Sequence, residues 1–109
     1  MTDYKERVIG IVMDAKGPLE RAEVKVFDKD ILFDDALGTA TTDKKGQFQV
    51  DFRWSDYKDG PFEDTPDFYV EVKTKDDRKL KSGVNYRPEG QLEEDDSLET
   101  FDLGTVIVG

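Results

Sequence analysis

Gln47-Phe48-Gln49-Val50-Asp51-Phe52 alternates polar and apolar residues without a fault. A period of two sends the apolar side chains to one face of a β-strand and the polar ones to the other. The residues just before it, Asp43-Lys44-Lys45-Gly46, are a hairpin turn, with Gly46 free to take a positive φ. The same period runs outward in both directions. Ala22, Val24 and Val26 alternate with Glu23, Lys25 and Phe27, and Phe68, Val70 and Val72 alternate with Tyr69, Glu71 and Lys73.

Four more segments complete the pattern. Val8 to Met13 is an apolar run broken only by Gly10, as a buried strand requires. Leu37 to Thr42 is a Thr-rich strand, and Lys79 to Ser82 a short one. Phe101, Leu103 and Val106 to Val108 form the last, with Gly104 marking a bulge. Asp14-Ala15-Lys16-Gly17-Pro18 and Lys75-Asp76-Asp77-Arg78 are turns, and residues 28–36, 53–66 and 83–97 are loops. No window sustains a helical stripe. The expected fold is an all-β, seven-stranded, Greek-key sandwich of immunoglobulin-like type, with residues 1–109 as a single domain.

Composition narrows the function. The hydrophobic fraction of 36% and charged fraction of 39% sit near the disordered range, but seven Phe, four Tyr and one Trp at regular spacing supply a core. There is no cysteine and no histidine, so disulfides, thiolate metal sites and the His-based nucleophile pairs are excluded. The expectation is that the chain is not an enzyme. A net charge of −10 repels nucleic acid and anionic membrane surfaces and attracts cations or basic proteins. No stretch approaches a membrane span, and the charged start Met1-Thr2-Asp3-Tyr4-Lys5-Glu6-Arg7 lacks a signal-peptide apolar region. As given, the chain reads as cytoplasmic and monomeric; as a domain cut from a secreted protein it would look the same.

Strand parity places the charge. Successive loops of a sandwich alternate between its two ends, so residues 14–20, 43–46 and 75–79 share one end, where acids and bases nearly balance. The loops at 28–36, 53–66 and 83–97 share the other, with thirteen acids against Lys29, Arg53, Lys58 and Arg87. Like charges gathered at one pole repel, and a bound cation relieves the repulsion.

The segments Val8-Ile9-Gly10-Ile11-Val12, Gly17-Pro18-Leu19, Ala22-Glu23-Val24-Lys25-Val26, Thr42-Asp43-Lys44-Lys45-Gly46-Gln47-Phe48 and Asp102-Leu103-Gly104 resemble the transthyretin-like group, which includes carboxypeptidase regulatory-like domains. The resemblance covers nearly the whole chain and implies a prealbumin-like sandwich, a fold that hosts carriers, enzymes, adhesins and spacers. Its hydroxyisourate-hydrolysing branch uses histidines and a C-terminal Tyr-Arg-Gly-Ser; this chain has no histidine and ends Val106-Ile107-Val108-Gly109. Its isopeptide-forming branch needs an asparagine on the last strand, and the only asparagine is Asn85, in a loop.

Asp28-Lys29-Asp30 with Asp34 and Asp35 is the candidate metal cup. Calcium takes six to eight oxygens, several from carboxylates in flexible loops. The stretch from Phe27 to Gly38 also resembles a calcium loop of phospholipid-binding sandwich domains, with a gap one residue shorter. Trp54, Tyr57 and Phe62, set among acids, are partner-binding candidates, forming an aromatic–acidic surface for a basic peptide or a carbohydrate. The expected function is a non-enzymatic binding module whose acidic loop end engages calcium or a basic partner. The alternatives are a structural or accessory sandwich whose acidity serves solubility, and a small-ligand carrier of transthyretin type.

Overall fold

The computed structural model describes residues 5–29, 35–53, 67–88, 90–92 and 98–109. Nine strands lie among them: β1 (Lys5–Asp14), β2 (Gly17–Pro18), β3 (Glu23–Asp28), β4 (Asp35–Thr41), β5 (Gln47–Arg53), β6 (Phe68–Lys73), β7 (Lys79–Lys81), β8 (Gln91–Leu92) and β9 (Leu98–Ile107). The seven longer ones match the seven expected from the sequence. The two-residue β2 and β8 are additions; Gly17–Pro18 was read as turn, and it folds back to pair with Met13 and Asp14. No described helix is long and apolar enough to cross a membrane.

Two sheets form the sandwich. In the first, β1 is central, antiparallel to β5 on one side and parallel to β9 on the other, and β8 pairs with the start of β9. The second has the order β4-β3-β6-β7, all antiparallel. The facing sides supply the core: Val8 and Val12 from β1, Val24 and Val26 from β3, Val70 from β6 and Val106 from β9. Each fully buried valine contributes about 1.5–3 kcal/mol. Phe68 sits at the centre of one end, with Phe52 at 6.4 Å edge-on and Phe101 at 5.2 Å.

The turn before the opening stretch is held as its residues dictate. The Thr42 hydroxyl accepts from the Ala22 N–H (2.8 Å) and donates to the Leu19 carbonyl (2.6 Å), tying two connections together. The Asp43 carboxylate accepts from the N–H groups of Lys45 and Gln47, both at 2.9 Å. Gly46 has φ of 76°, and a Cβ there would lie 2.7 Å from the Val12 carbonyl oxygen. Thr42→Val keeps the shape and removes both hydrogen bonds, leaving two buried backbone groups unmatched. Urea unfolding should show a loss of about 2 kcal/mol.

The bulge falls where the sequence puts it. Ile9 pairs with Asp102 and Ile11 with Thr105, so β9 carries an extra residue. Gly104 has φ of 68°, and its N–H donates to the Asp102 carboxylate at 2.8 Å.

The loop parity also holds for the residues that flank the loops. At one end the Val12 N–H donates to the Gly46 carbonyl, and Arg78 reaches Asp14. At the other, Lys5 pairs with both Arg53 and Leu98, and the Lys29 N–H donates to the Asp67 carbonyl.

Candidate functional site

The second end, the acidic pole, is where the described residues flanking the three acidic segments meet. Residues 29 and 35, 53 and 67, and 92 and 98 anchor the three acidic segments there. Of the sequence-predicted metal ligands, Asp30 and Asp34 lie outside the described residues, as do Trp54, Tyr57 and Phe62. Asp28 and Asp35 end β3 and begin β4, where their backbones are register partners.

Asp28 is built into the scaffold. Alternation along β3 turns Val24, Val26 and Asp28 inward, and Asp28 is 3% exposed. One carboxylate oxygen accepts from the Asp67 N–H at 3.2 Å, beside the Lys29-to-Asp67 backbone bond at 2.8 Å. Asp67 in turn holds Arg87 at 3.2 Å, which raises the Arg87 pKa, and Phe68 and Tyr86 exchange backbone hydrogen bonds at 2.8 and 2.7 Å. The carboxylate therefore clasps β3 to the start of β6. Asp28→Ala removes an acceptor from the Asp67 N–H and should cost about 1–3 kcal/mol, with Asp28→Asn costing less, by chemical denaturation.

The sequence reading found its acids in polar loops and missed Glu6. Alternation along β1 places Glu6 in line with Val8 and Val12, facing the core, and it is 3% exposed. Its Oε2 is buried and has no hydrogen-bond partner among the described residues. Burial, and then the Glu99 carboxylate on the neighbouring strand, push its pKa up to about 7. The period of the strand carries that signal, and the charged neighbours Lys5 and Arg7 obscure it.

The two poles differ in pairing. At the opposite end, Arg78 meets Asp76 at 3.2 Å and Asp14 at 3.6 Å, and Lys73 meets Asp77 at 3.5 Å. A hydrogen bond from the Thr74 hydroxyl, with Arg78 nearby, lowers the Asp76 pKa. At the acidic pole, Arg87 pairs with Asp67 at 3.2 Å and, just inside on β1 and β5, Arg7 pairs with Asp51 at 2.8 Å. No group of three or more His, Cys, Asp or Glu among the described residues is placed to hold a metal ion. Two open grooves lie elsewhere, one of about 640 Å³ beside Ile9, Ile11, Gln47 and Gln49, the other of about 420 Å³ over Lys25, Lys73 and Lys81.

A family model described as TTR-52, transthyretin-like family, matches residues 9–86, most of the sandwich. The chain belongs to the transthyretin-like family. No curated protein matches the sequence at a significant level. Among solved structures, chlorocatechol 1,2-dioxygenase from Pseudomonas putida is similar with a TM-score of 0.57 at 12% identity, covering 96% of this chain and 61% of that one. The 3-chlorocatechol 1,2-dioxygenase of Rhodococcus opacus 1CP gives 0.52 at 14% identity, covering 99% and 60%. A 9R-lipoxygenase from Cyanothece PCC8801 gives 0.52 at 23% identity, covering 97% of this chain and 16% of that one. These likenesses establish the fold, and the chain spans less than two thirds of each. A transthyretin-like sandwich is, at the coarse level, a binding or accessory domain.

Proposed function

We propose that this transthyretin-like domain is a non-enzymatic binding module whose acidic pole engages calcium or a basic protein surface. The observation that carries the reading is the segregation of charge. Thirteen acids and four bases occupy three segments anchored at one end, so nine of the ten net negative charges fall there. The scaffold brings Glu6, Asp67 and Glu99 to that end, with Lys5 and Arg7 beside Glu6. The repulsion this creates is relieved by a bound cation, whether a metal ion or the lysines and arginines of a partner. The chain brings neither histidine nor cysteine to serve as general base or nucleophile.

Calcium is the metal favoured by an all-oxygen ligand set on loops. Its ligands would come from Asp30, Asp34 and Asp35, with Asp28 fixing the end of β3. A ligand that binds only the folded state at a hundred times its Kd adds about 2.7 kcal/mol of stability. Calcium should therefore raise the melting temperature, and Asp30→Asn/Asp34→Asn, which leaves the Asp28 clasp intact, should abolish the rise. An unchanged melting temperature at 10 mM calcium, a concentration chosen as roughly saturating for a weak extracellular-type site, would leave the basic-partner form of the proposal standing alone.

A further inference from the structure

Glu6 and Glu99 are inward-facing neighbours on adjacent strands. Glu6 shares its face of β1 with Val8 and Val12, and Glu99 shares its face of β9 with Phe101 and Leu103. The two are Cα partners in the parallel β1–β9 register. Across β1, the partner of Glu6 on β5 is Phe52, which has no charge. From the opposite sheet, Asp28 at the end of β3 and Asp67 ahead of β6 close the same pole, Asp67 being paired with Arg87. Arg7, next along β1, turns outward to Asp51 at 2.8 Å. Lys5 and Arg7 flank Glu6 in sequence, while the charged group facing it from the adjacent strand is the Glu99 carboxylate.

Glu99 is also where the short β8 is fastened. β8 meets β9 through two pairs, Gln91 with Thr100 and Leu92 with Glu99. Gly90, just before β8, lies against the Glu99 side chain so closely that a Cβ on it would overlap the carboxylate. The Glu99 side chain thus lies against Gly90, next to the two β8–β9 pairs.

We propose that Glu6 and Glu99 form a proton-controlled latch that holds β8 on the edge of the first sheet. With Glu6 neutral, Glu99 carries the one negative charge of the pair and lies against Gly90. Loss of the Glu6 proton sets two carboxylates at neighbouring inward positions in a poorly solvated place, where like charges repel most strongly. Glu99 is the member that yields, since it is less buried than Glu6. Its departure frees Gly90 to Leu92, which have only two rungs to lose. The large sheet contacts of β1, β3, β5 and β6 stay in place. The latch does not depend on what the acidic pole binds.

A pH titration by NMR tests it, and the absence of histidine clears the neutral range of the usual competitor. The Glu6 side-chain carboxyl carbon should titrate with a midpoint near 7, in step with the amide shifts of Gln91, Leu92 and Thr100. The amides of Val24 and Val70 should stay still. In Glu6→Gln the neutral-pH transition at Gln91, Leu92 and Thr100 should vanish. In Glu99→Gln the Glu6 midpoint should fall and β8 should stay paired at pH 8. A wild-type Glu6 midpoint in the ordinary carboxylate range, or a transition at residues 91 and 92 that survives in Glu6→Gln, overturns the latch. The first readout needs no variant, so a poorly folding substitution cannot hide the result.

Discussion

Phe68→Ala should lower the unfolding free energy by about 4 kcal/mol, within the 3–5 kcal/mol that buried Phe-to-Ala changes cost. Phe68 is fully buried and touches aromatic rings from both β5 and β9, so the cavity would open between the two sheets. Its backbone also pairs with Tyr86, and that pairing keeps neighbouring atoms from collapsing into the space. A domain of this size has about 5–15 kcal/mol in total, so the variant would be near the edge of folding. Phe68→Leu should cost under half as much. Urea denaturation followed by far-ultraviolet circular dichroism checks both. A loss below about 1 kcal/mol for the alanine variant would mean the sheets do not pack as described.

The second large effect is a dependence of stability on pH that runs opposite to acid denaturation. The Glu6 pKa is raised from 4.5 in the unfolded chain to about 7 in the fold. Between those values the folded state binds more protons than the unfolded state, so stability falls as pH rises through the window. Above pH 7 the full cost of burying the charge is present. Discounted for solvent screening, that rise corresponds to on the order of 2 kcal/mol. Glu6→Gln removes this titration. The difference in stability between variant and wild type should therefore shift in favour of the variant from pH 4.5 to pH 8, by about that amount. Repulsion among the other acids of the pole acts in the same direction in both proteins and cancels in the difference. A difference that stays constant across the range would show that Glu6 titrates normally.

Much of the fold was legible because period-two alternation is a local signal. The strands at 47–52 and 68–73 and the Asp43-to-Gly46 turn appear in the structure as the sequence states them. The bulge at Gly104 was legible because a glycine interrupts an apolar run. β2 and β8 were not, because two-residue strands contain no alternation and exist only through their partners. The inward turn of Asp28 was in principle readable from Val24 and Val26, but a strand-end aspartate also looks like a loop residue. The Glu6–Glu99 pairing was beyond local reading. It requires knowing that the first and last strands lie side by side and parallel, at a sequence separation that no pattern encodes.

The central claim is that the acidic pole is the binding face. Backbone amide shifts of isotope-labelled protein, recorded during titration with calcium chloride and separately with a short lysine-rich peptide, test it most directly. Saturable shifts are expected from at least one of the two at residues flanking the acidic segments: Lys29, Asp35, Arg53, Asp67, Arg87 and Leu98. Gly46 and Lys75, at the opposite pole, should not move. Silence with both titrants, or shifts concentrated at the turns around Asp14, Gly46 and Lys75, would contradict it.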